Sequence, residues 1–180
     1  MRGKLGVAIC GMTVMLVAIV PTVYSQEGKE YTPKNKRFTI TIPDGEKSGE
    51  QAKVYKLKKI TIPIEQSQST IKDGTIFSAV SVGIPAKVIA GIPMEKRMEA
   101  YRDIIMEPAK GKLLEEKEIK QGTMTGKEYL IETPKTVMRV QLYMLGGFGF
   151  YAIVEGKTKE RVAAKDANDF FGSFKLKDAK

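Results

Sequence analysis

The segment from Leu113 to Glu155 constrains the fold most. It reads as strand-length pieces broken by turn residues: Leu113 to Lys120, a turn near Gln121-Gly122, Lys127 to Glu132, a turn at Thr133-Pro134-Lys135, Val137 to Leu145, Gly146-Gly147, and Phe148 to Glu155. Connections this short reverse the chain and leave no room for a crossover helix, so these strands form an antiparallel meander. Phe148, Phe150, Ala152 and Val154 alternate with residues of the other face, which predicts a buried side.

Upstream, Phe38, Ile40 and Ile42 alternate with Thr39 and Thr41 before Pro43-Asp44-Gly45, and predict a strand with one face buried. A polar stretch to Ala52 precedes a second strand, Val54 through Ile64, with Pro63 pointing to a sheet edge. Glu65 to Gly74, rich in Gln, Ser and Thr and ending in Lys-Asp-Gly, reads as a loop or hairpin connection. Ile76 to Ile84 has one face of Ile76, Val80, Val82 and Ile84, and another of Phe77, Ala79, Ser81 and Gly83. Small residues on the second face would let a helix approach closely, which predicts a sheet covered on both sides.

Two helices complete the pattern. Pro93 suits a first helical turn, and Met94, Met98, Tyr101 and Ile105 recur on one face as far as about Met106. A second helix runs from Thr158 to about Phe171, with Ala163, Ala167, Phe170, Phe171 and Phe174 as its apolar stripe. Helices around a run of antiparallel strands define an α+β protein, an antiparallel β-sheet flanked by helices on both faces.

The first 25 of the 180 residues stand apart. Arg2 and Lys4 precede an apolar run from Leu5 to Val20, then Pro21 and the ending Val23-Tyr24-Ser25. This is the layout of a secretory signal peptide cleaved between Ser25 and Gln26, and the run is shorter than the roughly 20 residues of a membrane span. The expected organisation is a signal peptide over 1–25, a polar leader over 26–37 and a single domain over 38–177, secreted or periplasmic, monomeric, with no membrane span once the signal is removed.

Composition then narrows the chemistry. The chain has no His and one Cys, and that Cys, Cys10, lies in the signal segment. Ser-His-Asp and Cys-His nucleophile systems, His or Cys metal sites and intrachain disulfides are therefore excluded, and no cofactor is implied. Removing Arg2 and Lys4 leaves 28 basic against 21 acidic residues, a net charge of about +7.

Two motifs read as packing. Gly147-Phe148-Gly149-Phe150 matches the centre of an RNA-recognition pattern, yet Gly146, Tyr151 and Ile153 break its flanks, so nucleic acid is not an expected partner. Met94, Met98 and Met106 lie at helical spacing, without the His or Cys that would join them around copper. Asp166, Asn168 and Asp169 lack the Gly and terminal Glu of a calcium loop.

The chain resembles the PsbP-like family of α/β/α sandwiches. The likeness rests on Phe38-Thr39-Ile40-Thr41-Ile42-Pro43, Gly126-Lys127-Glu128-Tyr129, Arg139-Val140-Gln141-Leu142-Tyr143, Phe150 through Gly156, and Asp169 through Leu176. It implies the sandwich over about residues 36–177 and an exported protein. The family includes a photosystem extrinsic subunit, a Ran-binding nuclear protein and many exported bacterial proteins. It has no shared catalytic motif, so the resemblance implies fold rather than activity.

The functional expectation is an exported, non-catalytic binding or structural domain that engages a protein or cell-envelope partner. One alternative is a carboxylate-dependent hydrolase using Glu128, Glu132 or the pair Glu116 and Glu118, the latter about 7 Å apart on one strand face. Another is a polyanion binder in which Lys56, Lys58, Lys59, Lys127 and Arg139 make the anion or partner contact.

Overall fold

A computed structural model describes residues 28–57, 60–122 and 124–177. The strands are β1 Gly28–Tyr31, β2 Phe38–Pro43, β3 Lys47–Leu57, β4 Ile60–Thr70, β5 Ile76–Gly83, β6 Lys112–Gln121, β7 Met124–Glu132, β8 Val137–Leu145, β9 Phe148–Gly156 and β10 Lys175–Leu176. The helices are α1 Ala86–Ile89, α2 Met94–Ala109, α3 Lys159–Val162 and α4 Lys165–Ser173. Seven strands form one sheet in the order β3-β4-β5-β9-β8-β7-β6, and a small second sheet has the order β1-β2-β10. Every pairing is antiparallel.

The meander appears as expected, and β9 closes it against β5. Its last turn is tight because Leu145 pairs with Phe148 and Gly146 takes a φ of 62°, a conformation that suits glycine.

Alternation along these strands sorts side chains into two apolar clusters. One holds Phe77, Ala79, Phe150, Ala152 and Val154 of the large sheet with Phe38, Ile40 and Ile42 of β2 and Phe170 and Phe171 of α4. The other holds Val82, Tyr129, Val140, Leu142 and Tyr151 with Met98 and Tyr101 of α2. The two faces of β5 therefore pack on different material, as their sequence pattern predicts.

Several boundaries differ from the sequence reading. The segment expected as a polar leader contains β1, which pairs Gly28 with Pro43 and Tyr31 with Ile40. Order thus begins before Phe38. The run Val54–Ile64 is not one strand: β3 and β4 are the arms of a hairpin, with Leu57 opposite Ile60. Of the Gln- and Ser-rich piece expected as a loop or hairpin connection, the first part to Thr70 continues β4, with Ser67 and Ser69 buried, and the rest makes the β4–β5 turn, where the Ile71 N–H donates to the Thr75 carbonyl. Pro63 lies just beyond the stretch of β4 that pairs β5, which starts at Ile64, so its missing N–H costs no bond there.

The helices shift too. Met94 is 54% exposed, so the α2 stripe begins at Met98. The last helix is broken at Ala163-Ala164, and Val162 rather than Ala163 enters the core.

Candidate functional site

Of the cations expected to contact an anion, Lys58 and Lys59 lie outside the described residues, as do Ser25 and Gln26 of the cleavage signal. Lys56 occupies the distal part of the β3–β4 hairpin, opposite Thr61. Lys127 and Arg139 sit on opposite faces of the large sheet. Lys127 Nζ bonds Glu95 of α2 at 2.8 Å and Glu116 of β6 at 2.5 Å. Arg139 bonds Glu128 at 3.0 Å and Asn168 of α4 at 2.6 Å, and its guanidinium lies 4.6 Å from the centre of the Phe171 ring. The patch expected from these two is therefore corrected: each charge is already met by carboxylate, and each fastens a helix to the sheet.

The carboxylates show the same use from the other side. Glu128 is 7% exposed and takes Arg139, Lys117 at 2.8 Å and Gln141 at 2.7 Å. Burial pushes its carboxyl upward, but hydrogen bonds from Arg139, Lys117 and Gln141 outweigh that and hold it below the usual range. A general acid needs the reverse. Glu116, on the opposite face, is shared by Lys127 and by Arg102 at 3.7 Å. Glu118 and Glu132 are exposed, opposite Lys127 and Lys112 in register. Sequence spacing brings Glu116 and Glu118 onto one face, yet Glu116 is tied up in fixing α2.

A groove lies where the two sheets diverge, between β1–β2 and the β3–β4 hairpin. It holds about 460 Å³ and is lined by Lys29, Tyr31, Pro43, Ser48, Glu50 and Gln68, among others. A further 240 Å³ continues past Tyr31 and Glu50 toward Lys34 and Glu65. Its geometry follows from local sequence. β3 is the edge of the large sheet, and Lys47 to Val54 are exposed on both faces, so nothing pulls this strand against the core. Small polar residues in β3 and β4 keep the floor open.

Lys29 Nζ spans the groove to Glu50 at 3.3 Å, and the Lys34 backbone N–H donates to Glu65 at 2.6 Å. Burial and the nearby Glu65 and Glu50 push the Tyr31 hydroxyl up to about 12, so it remains a neutral donor at ordinary pH. The lining offers hydroxyls, amides, one free strand edge and a nearly balanced set of charges. This suits hydrogen-bonded recognition of an extended polar ligand better than proton transfer. Among the described residues, no group of three or more acidic or thiol side chains is placed to hold a metal ion. Sequence reasoning missed the groove because neither β1 nor the proximal half of β3 alternates.

The arrangement, a seven-stranded antiparallel sheet with β2 and α4 on one cluster and α2 on the other, is a PsbP-like fold. Among solved structures, the chain is similar to the solution structure of cyanobacterial PsbP (CyanoP) from Synechocystis sp. PCC 6803, with a TM-score of 0.53 over 94% of this chain and 98% of that one. The sequences are 10% identical, so the likeness concerns fold alone. No family model matches the chain, and no curated protein does.

Proposed function

We propose that this chain is an exported, non-catalytic binding domain that engages a protein or cell-envelope partner through the groove between β1 and the β3–β4 hairpin. The observation that carries this reading is a polar cleft bounded by an exposed edge strand. A free edge supplies unpaired backbone donors and acceptors, and Ser48, Gln68 and Tyr31 supply side-chain ones. The domain acts as an α/β/α sandwich, a layering supported by Met98 and Tyr101 in one cluster and by Phe170 and Phe171 in the other.

Export rests on Arg2, Lys4, the apolar run to Val20 and the Ser25-Gln26 junction. It places the domain in the periplasm or outside the cell. Among the described residues, no helix is long and apolar enough to cross a membrane. N-terminal sequencing of the exported product checks this, with Gln26 as the expected first residue.

The binding reading is tested by chemical crosslinking and recovery from an envelope fraction, comparing the parent with Ser48→Arg and Gly49→Arg. Both positions are exposed, and a Cβ at Gly49 meets nothing within 4 Å. The parent is expected to retain a defined partner that both variants lose. Retention of nothing, or equal retention by all three proteins, sinks the reading.

A further inference from the structure

The pairing of β2 with β10 joins two basic stretches that lie far apart in sequence. Lys175 pairs with Thr39 and Leu176 with Phe38, and the Lys177 N–H continues the ladder to the Arg37 carbonyl at 2.8 Å. Leu176 packs on the core cluster, so strand alternation puts Lys175 and Lys177 on the outer side, about 7 Å apart. Arg37 lies opposite Lys177, with its guanidinium 5.1 Å from the Phe148 ring centre. Lys34 and Lys36 are exposed on the loop that enters β2.

This loop is held in place. The Lys36 N–H donates to the Pro33 carbonyl at 2.8 Å, and Lys36 adopts a φ of 54°, a left-handed conformation that side chains with a Cβ disfavour. Asn35 secures it, donating from Nδ2 to Ser81 Oγ at 2.8 Å and accepting the Arg37 N–H at 3.1 Å. Lys127, Arg139 and Arg161 are all ion-paired, but none of these five cations enters an ion pair among the described residues. The carboxylate beside them, Glu65, accepts the Lys34 backbone N–H.

We propose that Lys34, Lys36, Arg37, Lys175 and Lys177 form a strip along the β2–β10 seam that binds a linear polyanion. The proposal rests on the binding function above and names a second contact next to the groove. A linear chain fits better than a bilayer. Among the described residues, the exposed large apolar side chains, Val54, Ile92, Met94 and Ile104, lie elsewhere, so the strip carries none to insert among lipid tails. Four of the five cations are lysines, flexible point charges that follow repeated charge without demanding one geometry.

The probe is labelled inorganic polyphosphate, followed by fluorescence anisotropy between about 0.05 and 0.2 M salt. Five contacts at about 0.7 released counterions each give a log–log slope of about −3.5, or roughly 100-fold weaker binding across that range. Combining Lys34→Gln, Lys36→Gln, Lys175→Gln and Lys177→Gln leaves Arg37 on Phe148 and is expected to reduce the slope to about −0.7. A charge-matched variant with Lys47→Gln, Lys53→Gln, Lys110→Gln and Lys135→Gln is expected to keep the parent slope. The double variant Lys175→Gln with Lys177→Gln, altering only exposed side chains, is expected to fall between them.

Equal loss in the two quadruple variants, or no binding at the lowest salt, overturns the proposal. So does tighter binding to phosphatidylglycerol vesicles than to polyphosphate. If polyphosphate fails to bind while Ser48→Arg still abolishes partner retention, the strip falls and the groove reading stands.

Discussion

The ring of Tyr101 occupies the space where a Cβ on Gly149 would lie. Tyr101 is fully buried, its hydroxyl donates to the Gly147 carbonyl at 3.0 Å, and its own carbonyl accepts the Tyr151 hydroxyl at 2.9 Å. α2 is thus seated on β9 through one aromatic side chain and one missing methyl group. Gly149→Ala is expected to cost about 1 to 3 kcal/mol through overpacking. Tyr101→Phe, which keeps the ring and loses the hydroxyl, is expected to cost about 1 kcal/mol. Denaturant midpoints measure both. In a Tyr101→Leu background the Gly149→Ala penalty should shrink, since the overlap is with the ring.

The same pair shows what the sequence made legible. Alternation along β9 reads Phe150, Ala152 and Val154 into the core, where they lie. The partner of Gly149 is invisible, because Tyr101 lies 48 residues upstream on a helix whose docking angle no periodicity encodes. Strands failed to register where burial is absent. Lys47 to Val54 face water on both sides, so selection for alternation has nothing to act on. β1 is four residues long and exposed over three of them. The hairpin of β3 and β4 escaped notice because the sequence between Leu57 and Ile60 holds no Gly, Pro or Asn to mark a chain reversal. The cations before β2 and those of β10 come together only through the pairing of residues 37–39 with 175–177, a tertiary fact.

Glu128 is expected to govern part of the acid stability. Its folded-state carboxyl lies below the ordinary value, so its contribution is present above the unfolded carboxylate pKa of about 4.3 and is lost as pH falls through the folded value. Glu128→Gln should cost about 1 to 3 kcal/mol at neutral pH, because Arg139 and Lys117 lose their counter-charge. It should also flatten the decline of stability below about pH 4, with Asp73 among the carboxylates that supply the remainder. Urea titrations of the two proteins at several pH values check both effects. An unchanged acid limb would show that the buried carboxylate does not drive it.

Lys127 ties the first turn of α2 to β6 through Glu95 and Glu116. Hydrogen bonds from Nζ to Glu116 and then Glu95 raise its pKa well above the ordinary lysine value. The contribution is therefore complete below the unfolded pKa of about 10.4 and is lost as pH rises through the folded one. At neutral pH, Lys127→Met is expected to speed hydrogen exchange in the residues after Met94 while β8 and β9 stay protected. Glu95→Gln should act in the same direction more weakly, since Glu116 still holds the ammonium. Uniform acceleration across the domain would mean that Lys127 supports the whole sheet rather than one helix end.

Arg161 ties α3 both to α4 and to the β4–β5 turn. Its guanidinium meets Asp166 of α4 through two bonds of 2.7 and 2.6 Å, Asp73 of the β4–β5 turn at 2.6 Å, and the Phe77 ring at 5.9 Å from its centre. A lysine there keeps the charge but cannot form the parallel pair to Asp166 or reach Asp73 at the same time. Arg161→Lys is accordingly expected to cost about 1 to 2 kcal/mol, close to the cost of Arg161→Met. The break at Ala163-Ala164 makes the loss local, because α4 keeps its own hold on the sheets through Ala167, Phe170 and Phe171, the Arg139–Asn168 bond and the Thr41 N–H donated to Ser173. Exchange should quicken in α4 and in the Asp73 turn together, and urea midpoints should fall equally for the two variants. A lysine variant as stable as the parent would show that charge alone, rather than the fork, holds this corner.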